Sequence, residues 1–509
     1  MRALVSVSDK TGLVPFVKGL EALGWEIVAT GGTKKLLDES GVRTIGISEV
    51  TGFPEICDGR VKTLHPKVHG GILGRRDIPA HMQTLKENGI TTIELVCVNL
   101  YPFKQTIAKE GVTMEDAIEN IDIGGPSMVR SAAKNWKDVT IVCDPADYDT
   151  VLSEIKENGF TCDATRLKLS AKAYTHTAEY DMMIAGYMRE KAGLNPKLFL
   201  EYDLKQPLRY GENPHQSANF FSTLEPAPFS LAFAKQIQGK ELSYNNIQDA
   251  NAALNVVRDF DEPFCVALKH MNPCGAAVGK TIEEAWQAAY EADKVSIYGG
   301  IVAVNRELTA EVALGMKPIF LEIVIAPSFS PEALEILSAK KNLRVMQVDM
   351  TKSPAPVPQF ISVNGGMLAQ QLDTQIEKIT PEMCVTAVKP TEAQMADLDF
   401  GWKIVKHVKS NAIAVVRDGH TIGVGAGQTN RVGSAQIALE EAKAAGFTEG
   451  LILASDGFLP FGDTVALAAQ YGVAAIVQPG GSIRDEESIA EADKQGITML
   501  FTGVRHFKH

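Results

Sequence analysis

The stretch ALKHMNPCGAA, residues 267–277, places two basic side chains at the end of an apolar run. A histidine such as His270 titrates near neutrality and can accept a proton, and an ammonium such as that of Lys269 can stabilise a developing oxyanion. The turn formers Asn-Pro-Cys-Gly predict a turn at residues 272–275. We interpret Cys274 as a buried, inert thiol. The stretch is therefore either the rim of an active site or an ordinary loop.

Two stretches near the N-terminus, residues 6–12 and 29–35, place Ser, Thr, Lys and Gly where a strand meets a helix. Helix N-termini offer free N–H groups to a phosphate, and glycine lets the backbone approach it closely. Helix capping explains either stretch alone, but two such turns at adjacent strand ends favour an anion site. The candidate phosphate-binding residues are Ser8, Lys10, Thr11, Gly12, Thr30, Gly31, Gly32 and Thr33.

The segment GRVKTLHPKVHGG, residues 59–71, is basic and fits neither a helical nor a strand period. It is either a solvated loop or a lid that closes over an anionic substrate, with Arg60, Lys62 and Thr63 as candidates. Two histidines four residues apart suggest a metal, but the intervening Pro66 is expected to prevent the helix that would align them. We expect no zinc here.

Acids, bases and an amide cluster at further strand and helix ends. VNLYPF ends a strand with Asn99 and Tyr101, and NIDIGGPSMVRSAAKN supplies Asp122, a glycine pair and Lys134. With Lys62, this inventory fits proton transfer around a carbonyl group. The glycines are Gly124 and Gly125.

A zinc deaminase is excluded by ligand count. Those enzymes combine H-x-E with P-C-x-x-C. Here Pro273-Cys274 is followed by Gly-Ala-Ala, and H-x-E does not occur in the chain.

Composition narrows the class of protein. The chain has 509 residues and a net charge of −12, which argues against non-specific binding to nucleic acid or anionic membranes. Its seven scattered cysteines favour a reducing compartment over a disulfide framework. We see no signal peptide and no apolar run long enough to span a membrane, so a cytoplasmic protein is expected.

Strand–helix alternation predicts an α/β protein whose first part holds a parallel sheet. We place a boundary near residue 196, giving domains 1–195 and 196–509, with a Pro-rich connector near 351–360 inside the second. The order of elements in the second part suggests an internal duplication.

Ordered motifs along the whole chain resemble the bifunctional AICAR transformylase/IMP cyclohydrolase family of purine biosynthesis. The motifs are SVSDKTG, TGGT, VKTLHP, NLYPF, DIGGPSM with RSAAKN, LRYGENPHQ, KHMNPCG, GAGQTNRV, SDGFLPF and the RHF end.

The resemblance implies a methylglyoxal-synthase-like cyclohydrolase domain followed by two cytidine-deaminase-like halves without zinc. The second domain would transfer a formyl group from 10-formyltetrahydrofolate, a co-substrate, to AICAR. The first would close the product FAICAR to IMP. The family implies a homodimer that acts on small molecules, with no catalytic metal.

Site roles also follow from the resemblance. His270 would be the base and Lys269 would stabilise charge during transfer, while Lys62, Tyr101, Asp122 and Lys134 would be the catalytic set of ring closure. The implied nucleotide-binding residues of the transformylase are Arg209, Tyr210, Tyr298, Gly299, Asn411, Arg431 and Arg505. The implied folate-binding residues are Asn272, Phe458, Asp463 and Ser482. The remaining positions implied for the cyclohydrolase substrate are Arg60, Thr63, Asn99, Gly124 and Gly125.

One departure is that Tyr298-Gly299 stands where some family members have Phe-Gly. The alternative function is a regulatory protein with a deaminase-like domain that senses a phosphorylated metabolite. A pure sensor would not need the four cyclohydrolase residues together.

Overall fold

The computed structural model describes residues 1–225, 227–352 and 357–509. The chain divides into two compact units, Met1–Glu201 and Tyr202–His509. Part of the predicted Pro-rich connector, residues 353–356, lies outside the described residues. No helix in the described ranges combines the length and apolarity that a membrane crossing requires.

The first unit contains a parallel sheet in the order β3-β2-β1-β4-β5. Its strands are β1 (Arg2–Ser6), β2 (Glu26–Ala29), β3 (Thr44–Gly46), β4 (Leu95–Val98) and β5 (Thr140–Val142). The central strands are buried, as an apolar parallel sheet covered by helices must be.

Ten helices belong to the described residues of this unit. They are α1 (Leu13–Ala22), α2 (Gly31–Glu39), α3 (Ile47–Thr51), α4 (Pro66–Leu73), α5 (Pro79–Glu87), α6 (Phe103–Ile107), α7 (Met114–Glu119), α8 (Gly124–Lys134), α9 (Tyr148–Asn158) and α10 (Asp163–Lys191), with a 3₁₀ turn at Pro145–Asp147.

Helix α4 corrects the prediction of an irregular basic loop at this position. Pro66 does not prevent the helix but begins it, because the first helical position needs no N–H donor. The His65 ring caps the helix by accepting the Lys67 N–H at 3.1 Å.

The second unit is built on an 11-stranded sheet in the order β20-β19-β18-β16-β17-β10-β9-β11-β12-β13-β8. Its strands are β8 (Lys235–Gln238), β9 (Phe264–Lys269), β10 (Asn272–Val278), β11 (Gly300–Val304), β12 (Leu321–Ala326), β13 (Arg344–Gln347), β16 (Ile413–Arg417), β17 (His420–Gly425), β18 (Leu451–Ser455), β19 (Val473–Gln478) and β20 (Thr498–Phe501). Two separate hairpins are formed by β6 (Asp203–Leu208) with β7 (Ala218–Ser222) and β14 (Pro358–Val363) with β15 (Gly366–Gln371).

The predicted duplication is visible in the topology. In one half an antiparallel hairpin, β9–β10, is followed by β11 antiparallel to β9 and then by parallel β12 and β13. The other half repeats this with β16–β17, β18, β19 and β20. The halves meet where β10 pairs with β17.

The helices repeat in the same way. The first half carries α11 (Tyr244–Val257), α12 (Ile282–Ala292), α13 (Ala310–Met316) and α14 (Pro331–Ser338). The second half carries α15 (Glu392–Val405), α16 (Arg431–Ala444), α17 (Asp463–Gln470) and α18 (Asp485–Gln495).

The predicted turn at residues 272–275 is wrong. These residues belong to β10, and the turn consists of His270 and Met271 instead. A two-residue hairpin whose two turn residues both have positive φ explains why Asn272 pairs directly with Lys269.

Candidate active sites

In the first unit, the carboxyl ends of neighbouring strands bring the predicted phosphate turns to one edge of the sheet. Strand β1 lies between β2 and β4, all parallel. Ser6 and Thr30 hydroxyls are 2.6 Å apart. The Thr33 hydroxyl accepts the Val7 N–H at 3.1 Å and donates to the Val7 carbonyl at 3.0 Å. The side chains of both turns therefore tie the two loops together.

Asn99 organises the first turn from the neighbouring strand. Its side-chain oxygen accepts the N–H groups of Ser8 and Asp9 at 2.6 and 2.9 Å, and its amide donates to the Asp9 carbonyl at 2.9 Å. Asp9 in turn accepts both the N–H and the hydroxyl of Thr11. These Thr11 hydrogen bonds lower the pKa of Asp9. Lys10 and Gly12 lie exposed beside them.

Asp122 is a largely buried carboxyl at the start of α8. One carboxyl oxygen accepts the Gly125 N–H at 2.7 Å, and the Asp122 N–H donates to the Tyr180 hydroxyl at 2.8 Å. Burial raises the pKa of Asp122, opposed by the Gly125 hydrogen bond and by the charge of Lys62. Burial and then the nearby Asp122 raise the pKa of Tyr101. Both shifts favour the protonated form of each group.

The segment containing Lys62 and Thr63 lies against two glycine turns. A Cβ atom at Gly31 would lie 3.9 Å from the Lys62 ammonium, and one at Gly124 would lie 2.6 Å from the Thr63 hydroxyl. Lys62 is also 3.9 Å from the Glu55 carboxylate. The ammonium therefore lies beside the second predicted phosphate turn, and its charge acts on the Asp122 carboxyl.

Two predicted residues lie apart from this group. Arg60 is exposed and forms an ion pair with Glu119. Lys134 is exposed at the last turn of α8, about 15 Å along the helix axis from Gly124 at the other end.

In the second unit, the turn that carries His270 has an unusual backbone. His270 and Met271 have φ values of 52° and 62°, the left-handed region that non-glycine residues enter rarely. The Met271 N–H donates to the Asp249 carboxylate at 2.7 Å. The Asn272 side chain donates to the His270 carbonyl at 3.0 Å and accepts the Lys409 N–H at 2.9 Å. Both residues of the turn are exposed.

The Lys269 side chain reaches the segment that precedes β11. Its ammonium donates to the Tyr298 carbonyl at 2.9 Å. The exposed Tyr298 ring lies 5.4 Å from that of Phe320, and the Gly299 N–H donates to the Phe320 carbonyl at 2.7 Å. Burial raises the pKa of the Cys274 thiol to about 12, which makes it a poor nucleophile.

Arg431 and Asn411 line a cavity of about 270 Å³ together with Phe458 and Phe507. The Arg431 guanidinium forms an ion pair with the fully buried Asp456 and donates to the Asn411 side-chain oxygen at 2.8 Å. The Asn411 amide donates to the Gln428 carbonyl at 2.8 Å. The cavity therefore offers an aromatic wall and an oriented amide and guanidinium.

The C-terminal tail packs beside this cavity. The Arg505 guanidinium lies 4.7 Å from the centre of the Phe507 ring. Phe507 approaches Gly457, where an added Cβ atom would lie 2.7 Å from the ring. Any larger residue at position 457 would therefore push into Phe507 and Arg431.

Local elements fix the other predicted residues. Asp463 begins α17 and accepts the Thr464 N–H at 2.7 Å, and Ser482 accepts the Arg484 N–H at 3.1 Å. Arg209 lies 5.4 Å from the Tyr210 ring centre, just after β6. In the described ranges, no group of three or more His, Cys, Asp or Glu side chains is arranged to hold a metal.

Several residues that shape the two sites carry no sequence signal. Asp9 binds the N–H of Thr11 in its own turn, and three further side chains bind main-chain groups of distant segments, namely Tyr180, Asp249 and Lys508. The sequence contains one signal for Asp456: this acid directly follows the apolar strand LILAS. The structure buries it at the end of that strand.

Two family models match the chain. The model of the AICARFT/IMPCHase bienzyme matches residues 132–441, and that of the MGS-like domain matches residues 12–127.

Full-length relatives carry one description. The bifunctional purine biosynthesis protein PurH of Bacillus cytotoxicus is 58% identical over 100% of this chain and 99% of that protein. The protein of the same description from Limosilactobacillus reuteri is 57% identical over 100% of both chains. A solved structure described as the crystal structure of ForH is 38% identical, covers 36% of this chain and 97% of that chain, and has a TM-score of 0.33.

Proposed function

We infer that this chain, which belongs to the AICARFT/IMPCHase bienzyme family and is a bifunctional AICAR formyltransferase and IMP cyclohydrolase of purine biosynthesis, divides its two reactions between its two units. Ring closure is assigned to Met1–Glu201 and formyl transfer to Tyr202–His509. The division is supported by the separate sets of polar residues, each gathered at the strand ends of its own sheet. Family membership favours this enzyme over a metabolite sensor.

In ring closure, the carboxamide nitrogen of FAICAR attacks the formyl carbon of the same molecule and the formyl oxygen leaves as water. Because nucleophile and electrophile are already joined, positioning supplies much of the rate. The turns at Ser8–Gly12 and Thr30–Thr33 hold the phosphate. Asp122 and Tyr101, with pKa values raised by burial, exchange protons with the nitrogen and the departing oxygen. Lys62 stabilises the negative charge on that oxygen.

Three further residues would support the cyclohydrolase substrate. Thr63, Gly124 and Gly125 would line it beside Asp122. Arg60 and Lys134, which lie apart from the cluster, would need to swing their long side chains toward bound FAICAR. We assign Asn99 an indirect part, since its side chain is committed to the Ser8 turn.

In formyl transfer, the amino nitrogen of AICAR attacks the formyl carbon of 10-formyltetrahydrofolate and the bond from that carbon to folate N10 breaks. The amine is conjugated with its ring and is a poor nucleophile, so it needs a base. His270 takes the amine proton, and Lys269 stabilises the oxyanion of the tetrahedral intermediate. The proton finally resides on the folate amine that leaves.

The remaining transformylase residues would divide between the two substrates. Asn411, Arg431 and Arg505, with Arg209, Tyr210, Tyr298 and Gly299, would hold AICAR. Asn272, Phe458, Asp463 and Ser482 would hold the folate. Phe458 and Arg431 lining one cavity is consistent with two substrates that meet there.

We also propose a cytoplasmic homodimer that acts on these small molecules and binds neither nucleic acid nor membranes. Support for the homodimer comes from the hairpin β14–β15, which exposes the apolar side chains of Ile361, Val363, Met367 and Leu368.

The observation that carries the transformylase assignment is the left-handed turn that presents His270. Non-glycine residues with positive φ persist only where surrounding structure holds them, and they cluster at functional sites. Here, the Asp249 carboxylate and the Lys508 ammonium, both from distant segments, hold the turn.

The test is His270→Ala, assayed for both reactions. We expect formyl transfer to fall by about 100-fold or more, since a general base is worth that much, while ring closure of supplied FAICAR is unchanged. The matched control is His420→Ala, another histidine of the second unit, which should keep both activities. Loss of both activities in His270→Ala would overturn the division between units.

The reciprocal variant is Lys62→Ala. It should spare transfer, so FAICAR should accumulate when AICAR and 10-formyltetrahydrofolate are supplied.

A further inference from the structure

We propose that Lys508 is a positioning residue for formyl transfer, whose ammonium holds the main-chain carbonyl of Met271 and thereby fixes the turn that presents His270. The inference rests on the proposed function of His270 as the base. Lys508 lies outside the predicted site residues and does not line the cavity of Arg431.

The tail that carries Lys508 is anchored next to the turn. The Lys508 N–H donates to the Ser410 hydroxyl at 3.0 Å, and the Ser410 N–H donates to the Lys508 carbonyl at 2.8 Å. From this anchor the ammonium donates to the carbonyls of His407 at 2.7 Å and Met271 at 3.2 Å. One side chain therefore joins the C-terminal tail, the segment after α15 and the β9–β10 turn.

The turn needs such a restraint. A left-handed conformation is unfavourable for a non-glycine residue, and His270 and Met271 both adopt it. Asp249 binds the N–H of Met271, and Lys508 binds the carbonyl of the same residue. The backbone of Met271 is thus held from both sides by side chains more than twenty residues away in sequence.

The position of the Lys508 ammonium is energetically unfavourable. Within the described ranges, no carboxylate forms an ion pair with Lys508, and its two hydrogen-bond acceptors are main-chain carbonyls. Burial lowers the pKa of Lys508 to about 8. A partly buried ammonium without a counter-ion is destabilising, and this cost is consistent with a functional reason for keeping it.

A second lysine of the same unit provides a matched control. The Lys340 ammonium is also held by two main-chain carbonyls, those of Met316 and Ile319, and burial also lowers its pKa. Lys340 connects elements remote in sequence from the His270 turn. Loss of either lysine removes similar hydrogen bonds, but only Lys508 touches the turn.

The experiment compares Lys508→Met, Lys508→Arg and Lys340→Met in the full-length chain. For Lys508→Met we expect the kcat of formyl transfer to fall about tenfold or more, because small misplacements of a catalytic group have large effects. The KM for AICAR should change by less than about twofold, because the substrate-binding groups are untouched. Lys508→Arg should recover most of the lost kcat, and Lys340→Met should lower the melting temperature without changing kcat.

Two outcomes would overturn the inference. One is a Lys508→Met enzyme with wild-type kcat, and the other is an equal loss of kcat in Lys508→Met and Lys340→Met, which would mean general destabilisation. If Lys508→Met does not fold, Lys508→Gln replaces it, and kcat must then fall in the order Lys, Arg, Gln. The His270→Ala variant distinguishes failure of the proposed function from failure of this inference. If His270→Ala retains formyl transfer, the proposed function itself fails. If His270→Ala loses formyl transfer but Lys508→Met does not, only the role of Lys508 is overturned.

Discussion

At the scale of single residues, the two candidate sites differ in how far their proposed acid–base groups are buried. Asp122 is a carboxyl largely removed from water, and this burial, opposed by the charge of Lys62, holds its proton more tightly than in the unfolded chain. His270 is exposed on its turn and keeps its contact with solvent. In the proposed ring closure, groups in a confined site both donate and accept protons. In the proposed formyl transfer, the base is exposed and can exchange protons with solvent.

We expect Asp122→Asn to remove activity while raising stability. Burial raises the folded pKa above the ordinary value of 3.8, so the folded state binds more protons than the unfolded state between these two values. The free energy of unfolding contributed by Asp122 therefore falls as pH rises through that window. We expect Asp122→Asn to abolish ring closure and to raise the melting temperature relative to wild type at pH 7, with the difference shrinking toward pH 4.

The control for this prediction is Asp149→Asn, at an exposed position in the first turn of α9. It should show no gain in melting temperature that grows with pH. If Asp122→Asn is less stable than wild type at pH 7, burial of the charge does not dominate at this position.

Residue types in the sequence predict many of the polar residues that the structure gathers at strand ends, because a reactive site needs bases, acids and glycines there. They fail for Asp249 and Lys508, whose task is to bind the main chain of Met271. Every residue has a main-chain carbonyl, and every residue except proline has a main-chain N–H. The type of the residue whose main chain is bound therefore does not reveal the contact.

At the scale of elements, the β9–β10 hairpin combines a strained turn with the proposed base, His270. Met271→Gly should relieve part of the strain: the left-handed cost of roughly 1–2 kcal/mol is removed, against roughly 0.5–1 kcal/mol of glycine entropy. We expect the free energy of unfolding to rise by up to about 1 kcal/mol in denaturant titrations, while formyl transfer slows because the turn loosens.

Met271→Ala is the control, since it removes the same side chain but keeps the strain. It should give no gain in stability. A Met271→Gly protein less stable than Met271→Ala would show that the turn is not strained.

The start of α8 makes a second prediction. A Cβ atom at Gly125 would lie 2.3 Å from an Asp122 carboxyl oxygen and 2.9 Å from Leu100. Gly125→Ala must therefore displace the carboxyl, and we expect ring closure to fall about tenfold or more with transfer unchanged. Gly186→Ala, a helical position with open space around the added Cβ, is the matched control and should keep both activities.

Periodicity predicts the sheets and most helices, because buried strands and amphipathic helices must show it. Two local errors have physical causes. Asn-Pro-Cys-Gly carries the usual turn signal, but the hairpin turns earlier through His270 and Met271, and nothing in those residue types announces positive φ. Pro66 predicts a break in any helix at this point, but it begins α4, where its missing N–H costs nothing.

At the scale of the whole molecule, each unit has its own apolar core. The buried apolar residues that form the core of the first unit extend along the chain from Ala3 to Tyr180. We therefore expect a fragment of residues 1–201 to fold and to cyclise supplied FAICAR with a kcat within about threefold of the full chain, since its proposed chemistry uses residues of this unit alone. A folded fragment without cyclohydrolase activity would contradict the division of labour.

The central claim is that the turn at 270–271 presents an imidazole to the amino group of AICAR. A crystal structure of the chain with AICAR and a non-reactive folate analogue measures this directly. The account predicts the AICAR amino nitrogen within hydrogen-bonding distance, about 3 Å, of a His270 ring nitrogen, with the Lys508 ammonium still on the Met271 carbonyl. AICAR bound in the second unit with its amino group turned away from His270, and facing another base, would contradict it.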